Sequence, residues 1–142
     1  MKRMFIAVML LAITAAACGG GGDSVDASTN LSITMSEFAF EPEMVAVPAS
    51  QEITIELINT GSVEHDFVLL QRGKRIEAEA DLPDDEAMIV ADYVDFEQRI
   101  QPGESGTFTF TAPSETGSYQ IICRVPGHFA AGMEGRLRTV AG

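Results

Sequence analysis

Cys123, His128 and Met133 stand in the run Cys-Arg-Val-Pro-Gly-His-Phe-Ala-Ala-Gly-Met, which sets a thiol, an imidazole and a thioether at C-x4-H-x4-M spacing. The 142-residue chain holds two cysteines and two histidines, so a metal site must draw on nearly all of them. The second histidine, His65, lies far upstream, after the turn signal Asn59-Thr60-Gly61-Ser62. Two imidazoles and one thiolate in a trigonal set, with a long, weak thioether bond on the axis, are what a copper electron-transfer centre requires. Soft sulfurs favour Cu(I), imidazoles suit both oxidation states, and a compromise geometry keeps rearrangement small when one electron moves. A lone cysteine in a strand is more often a small apolar residue, and a lone histidine more often a surface or core one. The shared spacing lifts Cys123, His128 and Met133 above that reading. Met35, Met44 and Met88 lack such partners and read as core or surface methionines.

The elements that must position these residues are strands. Leu31, Ile33 and Met35 alternate with Ser32, Thr34 and Ser36, and the same period of two recurs in Ile53–Leu57 and Thr107–Thr111. Further strands are expected at Met44–Val47, Phe67–Leu70, Tyr119–Cys123 and Gly135–Val140. Turn signals separate them, among them Pro102-Gly103-Glu104-Ser105 and Pro113–Gly117. Short strands spaced this way predict an all-β sandwich. His65 is expected to come from the sheet opposite Cys123 and so tie the metal to the core, which would make metal binding stabilise the fold. Gly127 and Gly132 relax the loop around His128 and Met133, and Pro126 stiffens its approach. Residues 71–100 are the exception: acidic, with Asp84 as a candidate cap for a short helix and Ala87–Val94 equally readable as a strand. The segment is treated as an excursion from the sandwich.

The net charge of −12 has the wrong sign for neutralising phosphates, which argues against nucleic acid and for a basic partner surface. No Ser-His-Asp arrangement, phosphate loop or supported carboxylate pair marks an enzyme, and the Asp84-Asp85-Glu86 run lacks calcium-loop spacing. Lys2 and Arg3 precede an apolar run from Met4 to Ala17, too short to span a membrane, and Cys18 with a glycine tract follows. This segment resembles the signal of bacterial lipoproteins, in which the cysteine becomes the acylated first residue. The competing reading is an ordinary secretion signal cut near Ala17. The expected organisation is a signal peptide over 1–17, a flexible tether anchored at Cys18 over 18–30, and one domain over 31–142, outside the cytoplasmic membrane in the periplasm or at the cell surface.

Together with Phe38-Ala39-Phe40-Glu41-Pro42, the Asn59 turn before His65, and Gly117-Ser118-Tyr119, the Cys123–Gly135 stretch resembles the cupredoxins, the blue copper family that includes plastocyanin, azurin and auracyanin. The resemblance runs from about Leu31 to Val140. Its C-x4-H-x4-M spacing is nearest the auracyanin-like branch. It implies a Greek-key β-sandwich holding one type 1 copper, with His65, Cys123 and His128 as ligands and Met133 axial. Where many relatives carry Asn after the first histidine, this chain has Asp66, which lacks the amide donor and leaves the bond to the ligand loop or the Cys123 sulfur open. Pro126, Gly127, Phe129, Ala130 and Ala131 surround His128 with small or apolar groups, and these are expected to form an exposed docking patch with one imidazole edge as the electron port. The partner would be a c-type cytochrome or a membrane oxidoreductase with a basic face, steered by acidic residues such as Glu77–Glu86. The chain is expected to act as a monomeric electron carrier. A copper chaperone or storage protein is the alternative, and it would want more exposed Met and His ligands than this sequence has.

Overall fold

The alternating segments form the strands expected of them. The computed structural model describes residues 26–83 and 85–142. In chain order these form β1 (Asn30–Ser36), β2 (Ala39–Glu41), β3 (Met44–Pro48), β4 (Glu52–Asn59), β5 (His65–Leu70), α1 (Glu86–Asp92), β6 (Val94–Ile100), β7 (Ser105–Thr111), β8 (Gly117–Ile122) and β9 (Glu134–Val140). One sheet has the order β2-β1-β4-β7 and the other β3-β9-β8-β5-β6. Parallel pairs β1–β4 and β3–β9 stand among antiparallel ones, so the chain crosses between sheets rather than meandering through hairpins. The result is the all-β sandwich that the alternation predicts.

Ile33, Met35, Ile53, Ile55 and Leu57 project from one sheet, and Phe67, Leu69, Ile121 and Leu137 meet them from the other. Burying each such side chain fully is worth about 1.5–3 kcal/mol. Met44 and Met88 remain exposed. Strand β5 is buried on both faces, which explains why Phe67-Val68-Leu69-Leu70 does not alternate. Val68 and Leu70 point to the outer face of the sheet, where with Ile122 and Ile76 they form a second cluster, covered by Leu82, Tyr93, Val94 and Phe129.

That cover is the excursion after β5, and the structure redraws it. The segment from Ala87 is helical, not a strand, and its N-terminus is capped by Asp85, whose carboxylate accepts from the Ala87 and Met88 amides at 2.9 and 3.4 Å. Asp84, the expected cap, lies outside the described residues. Residues 94–100 return to the sandwich as edge strand β6, paired with β5 from His65↔Ile100 to Leu70↔Val94. Its polar residues obscured it, because Glu97 and Arg99 are held by Arg124 and Asp66 at the sheet surface. At the N-terminal side, Ala27 bridges Ala46 and the Ser28 amide donates to the Ala46 carbonyl at 2.9 Å. The sheet contacts thus begin within the stretch expected to be tether. The signal segment 1–17 and Cys18 lie outside the described residues. Among the described residues no helix is long and apolar enough to cross a membrane.

Candidate metal centre

His65 is the first residue of β5, and Cys123 immediately follows β8, the strand beside it. The two therefore belong to one sheet, correcting the expectation that His65 would come from the opposite one. Register is the reason: Val68 pairs with Ile122, so the start of β5 and the end of β8 open at the same end of the sandwich. Between β4 and β5 the chain turns tightly around Asn59, which is buried. The Asn59 amide donates to the Val63 and Ile100 carbonyls at 2.8 and 3.0 Å, and its oxygen accepts from the Gly61 amide at 2.9 Å. One side chain thereby fixes the turn that delivers His65 and fastens it to the end of β6.

The other donors come from the loop between β8 and β9. The His128 amide donates to the Val125 carbonyl, and the His128 carbonyl accepts from Met133 at 3.0 Å, folding the loop back on itself. Gly127 and Gly132 adopt φ of 85° and 100°, the left-handed region that side chains disfavour, and these two bends let the chain close around His128. The Cys123 amide donates to the Met133 carbonyl at 3.3 Å, which sets Met133, fully buried, beside Cys123 at the end of the sheet.

Three donor atoms converge as a result. His65 Nδ1 lies 3.2 Å from His128 Nδ1, and the Cys123 sulfur lies 3.4 Å from the same His128 nitrogen. One ligand atom from each of the three residues falls within 4.8 Å of the others, and all three residues are buried. A soft sulfur and two imidazole nitrogens facing one point suit a metal cation, since a proton shared between two of them leaves the third unanswered. Burial pushes the Cys123 thiol up to about 11, opposed by the Asp66 and Val125 amides. Burial and the neighbouring His128 hold His65 below its ordinary value, so its ring is neutral at pH 7 and ready to ligate.

Asp66 divides its bonds. Its backbone amide donates to the Cys123 sulfur at 3.4 Å, a bond available to any residue type there. Its fully buried carboxylate turns to β6, where Arg99 grips it with two bonds of 2.6 and 2.9 Å. The missing amide donor thus becomes an ion pair, which raises the Arg99 pKa.

Around the rim, Pro126, Gly127, Ala130 and Ala131 are exposed, whereas Phe129 is half-buried and packs into the outer-face cluster. His128 itself retains 8% exposure. Phe38 joins this rim, a place the sequence did not disclose: its ring meets His128 edge-on with centroids 5.4 Å apart, from a backbone φ of 66°. An exposed phenylalanine in a β1–β2 turn carries no mark of that role until the fold brings it over the ring.

The description "Cupredoxin-like domain" fits residues 2–133, the span matched by that family model. The chain belongs to the cupredoxins. It is 32% identical to auracyanin-A of Chloroflexus aurantiacus, over 96% of each chain. To the copper-resistant cuproprotein CopI of Rubrivivax gelatinosus it is 30% identical, over 84% of this chain and 71% of that one. Among solved structures, dithionite-reduced auracyanin from Roseiflexus castenholzii superposes with a TM-score of 0.67 at 28% identity, covering 81% of this cupredoxin and 99% of the other chain. Reduced rusticyanin, at 19% identity and a TM-score of 0.55 over 82% of this chain and 83% of that one, shares the fold. The cofactor is one type 1 copper, as in the family, and the His65, Cys123 and His128 grouping fits it.

Proposed function

We propose that this cupredoxin is a one-electron carrier that works outside the cytoplasmic membrane, anchored through a lipidated Cys18 and exchanging electrons with a cytochrome or membrane oxidoreductase. In this reading His65, Cys123 and His128 would hold the metal, with Met133 as a fourth, weaker donor. The carrying observation is the buried convergence of the three donors beneath a barely exposed His128 edge. Copper held there would supply a one-electron couple. Paired strands and the Asn59 turn hold the donors in place, so they shift little between oxidation states. Phe38, Pro126, Ala130 and Ala131 exclude water around the imidazole edge and offer a partner an apolar landing surface.

CopI, a copper-resistant cuproprotein by name, favours a second reading in which the chain binds copper to sequester or deliver it. The two readings part on reversibility. One equivalent of Cu(II) added to the domain should give an intense thiolate-to-copper charge-transfer band and narrow copper hyperfine splitting, both bleached and restored by reductant and oxidant. Cys123→Ser should abolish the band, and Met133→Leu should retain copper at a higher potential. A colourless protein, or one that binds Cu(I) and readily surrenders it, would favour sequestration or delivery.

A further inference from the structure

Glu79 is the first residue of a short 3-10 turn, Glu79–Asp81, inside the excursion. Its two carboxylate oxygens accept hydrogen bonds from the ligand loop, one from the Gly127 amide at 2.6 Å and the other from the Ala130 amide at 3.3 Å. These amides flank His128 in sequence, one residue before it and two after. The backbone bonds around His128 are otherwise internal: His128 to Val125, Ala131 to Gly127 and His128, Gly132 to Phe129, and Met133 to His128, while Cys123 to Met133 and Arg124 to Glu97 hold the base of the loop. The internal bonds shape the turn around His128 without tying its backbone to another element. Glu79 supplies such a tie from 48 residues away, and Phe129, packed with Ile76 and Leu82, supplies an apolar one to the same excursion.

We propose that Glu79 is a positioning residue of the metal centre: it clamps the His128 loop onto the 71–93 excursion and so fixes where His128 stands relative to Cys123 and His65. The excursion is thereby part of the site's scaffold. A carboxylate suits the task because it offers two acceptors to two divergent amides, and bonds from N–H to an ionised acceptor are stronger than neutral ones. The assignment of His128 as a ligand rests on the function proposed above, whereas the clamp itself is a property of the chain.

The test uses the full domain, first without metal. In Glu79→Ala, amide hydrogen exchange at Gly127 and Ala130 should accelerate about tenfold or more, the size expected for loss of a charge-assisted bond. Exchange in β4 and β7 should stay at the wild-type rate. Glu79→Gln, which keeps one neutral acceptor, should restore part of the protection at Gly127. With copper added, Glu79→Ala should broaden the hyperfine pattern and speed metal release to a chelator, and Glu79→Gln should lie between it and wild type. Unchanged exchange at Gly127 and Ala130 in Glu79→Ala overturns the clamp. Equal metal release from the Ala and Gln variants also overturns it, since charge alone would then account for Glu79. Failure of copper to bind the wild-type chain would sink the electron-carrier reading while leaving the exchange result standing.

Discussion

Cys123 shows what the fold does to a single candidate ligand. Burial moves its thiol from an ordinary 9.0 up to about 11, so the folded chain without metal binds this proton more tightly than the unfolded one. The sign follows from linkage: the contribution is fully present below about pH 9 and is lost as pH rises through about 11, a change of roughly 2–3 kcal/mol. Urea unfolding of the metal-free protein should therefore weaken across that window in wild type but not in Cys123→Ala; equal profiles would mean the thiol ionises freely. Below that window copper must displace the proton, so its affinity should climb with pH. Asp66 is a second case, in which the sequence marked the residue but not its partner. The Arg99 guanidinium comes from a strand hidden among polar residues, and nothing local to His65-Asp66 pointed to it. Arg99→Ala leaves a buried carboxylate unpaired and should cost about 3 kcal/mol in thermal or urea unfolding, whereas the double variant Asp66→Asn/Arg99→Met should recover most of the loss. A mild single-variant effect would place water, rather than Arg99, as the main solvent of that carboxylate.

At the scale of elements, the turn between β4 and β5 has less room than its sequence suggests. A methyl group on Gly61 would sit 2.8 Å from His65 Nε2 and 2.9 Å from a Glu37 carboxylate oxygen, closer than real contacts allow. His65 is buried and begins a paired strand, so Gly61→Ala should tilt its ring and weaken copper binding by about 10- to 100-fold, the range for a disturbed support of a ligand. Competition with a chelator measures this; wild-type affinity would mean the turn relaxes without moving the ring. The same scale explains which elements were legible. β1, β4 and β7 alternate cleanly because each has one buried face, and the loop that carries His128 and Met133 stood out through its spacing. β2 has three residues, too few to show a period, and β6 carries Asp95, Glu97 and Arg99, the last two held by Arg124 and Asp66 from far along the chain. The link from Glu79 to the His128 loop was illegible for the same reason, since it exists only once the excursion folds back over β5 and β8.

For the whole molecule, charge distribution bears on how the proposed redox partner would arrive. The net charge is −12, yet Lys74, Arg75 and Arg136 gather around one hollow of about 400 Å³ on the outer flank of the five-stranded sheet. The expected steering cluster in the excursion stays at the surface: Glu77, Asp81 and Asp85 are exposed and keep their charge while meeting Arg75, the Ala78 amide and the helix N-terminus, and Glu79 bonds to the His128 loop. In the proposed reading, a basic partner would be attracted by the acidic surface, this cluster included, and would make its final contact with the apolar rim around His128. A field of that kind acts over a Debye length, about 30 Å at 10 mM salt and about 8 Å at 150 mM. The second-order rate of electron transfer to a basic c-type cytochrome should accordingly fall by about tenfold or more between those concentrations, within the range of electrostatic steering. Glu77→Gln, which removes one charge of many, should change the slope only slightly. Substituting Ala130 by Lys at the rim should cut the rate at every salt concentration, because it places a like charge where the partner must land. A rate flat in salt would assign docking to the apolar rim alone and remove the acidic surface from the encounter.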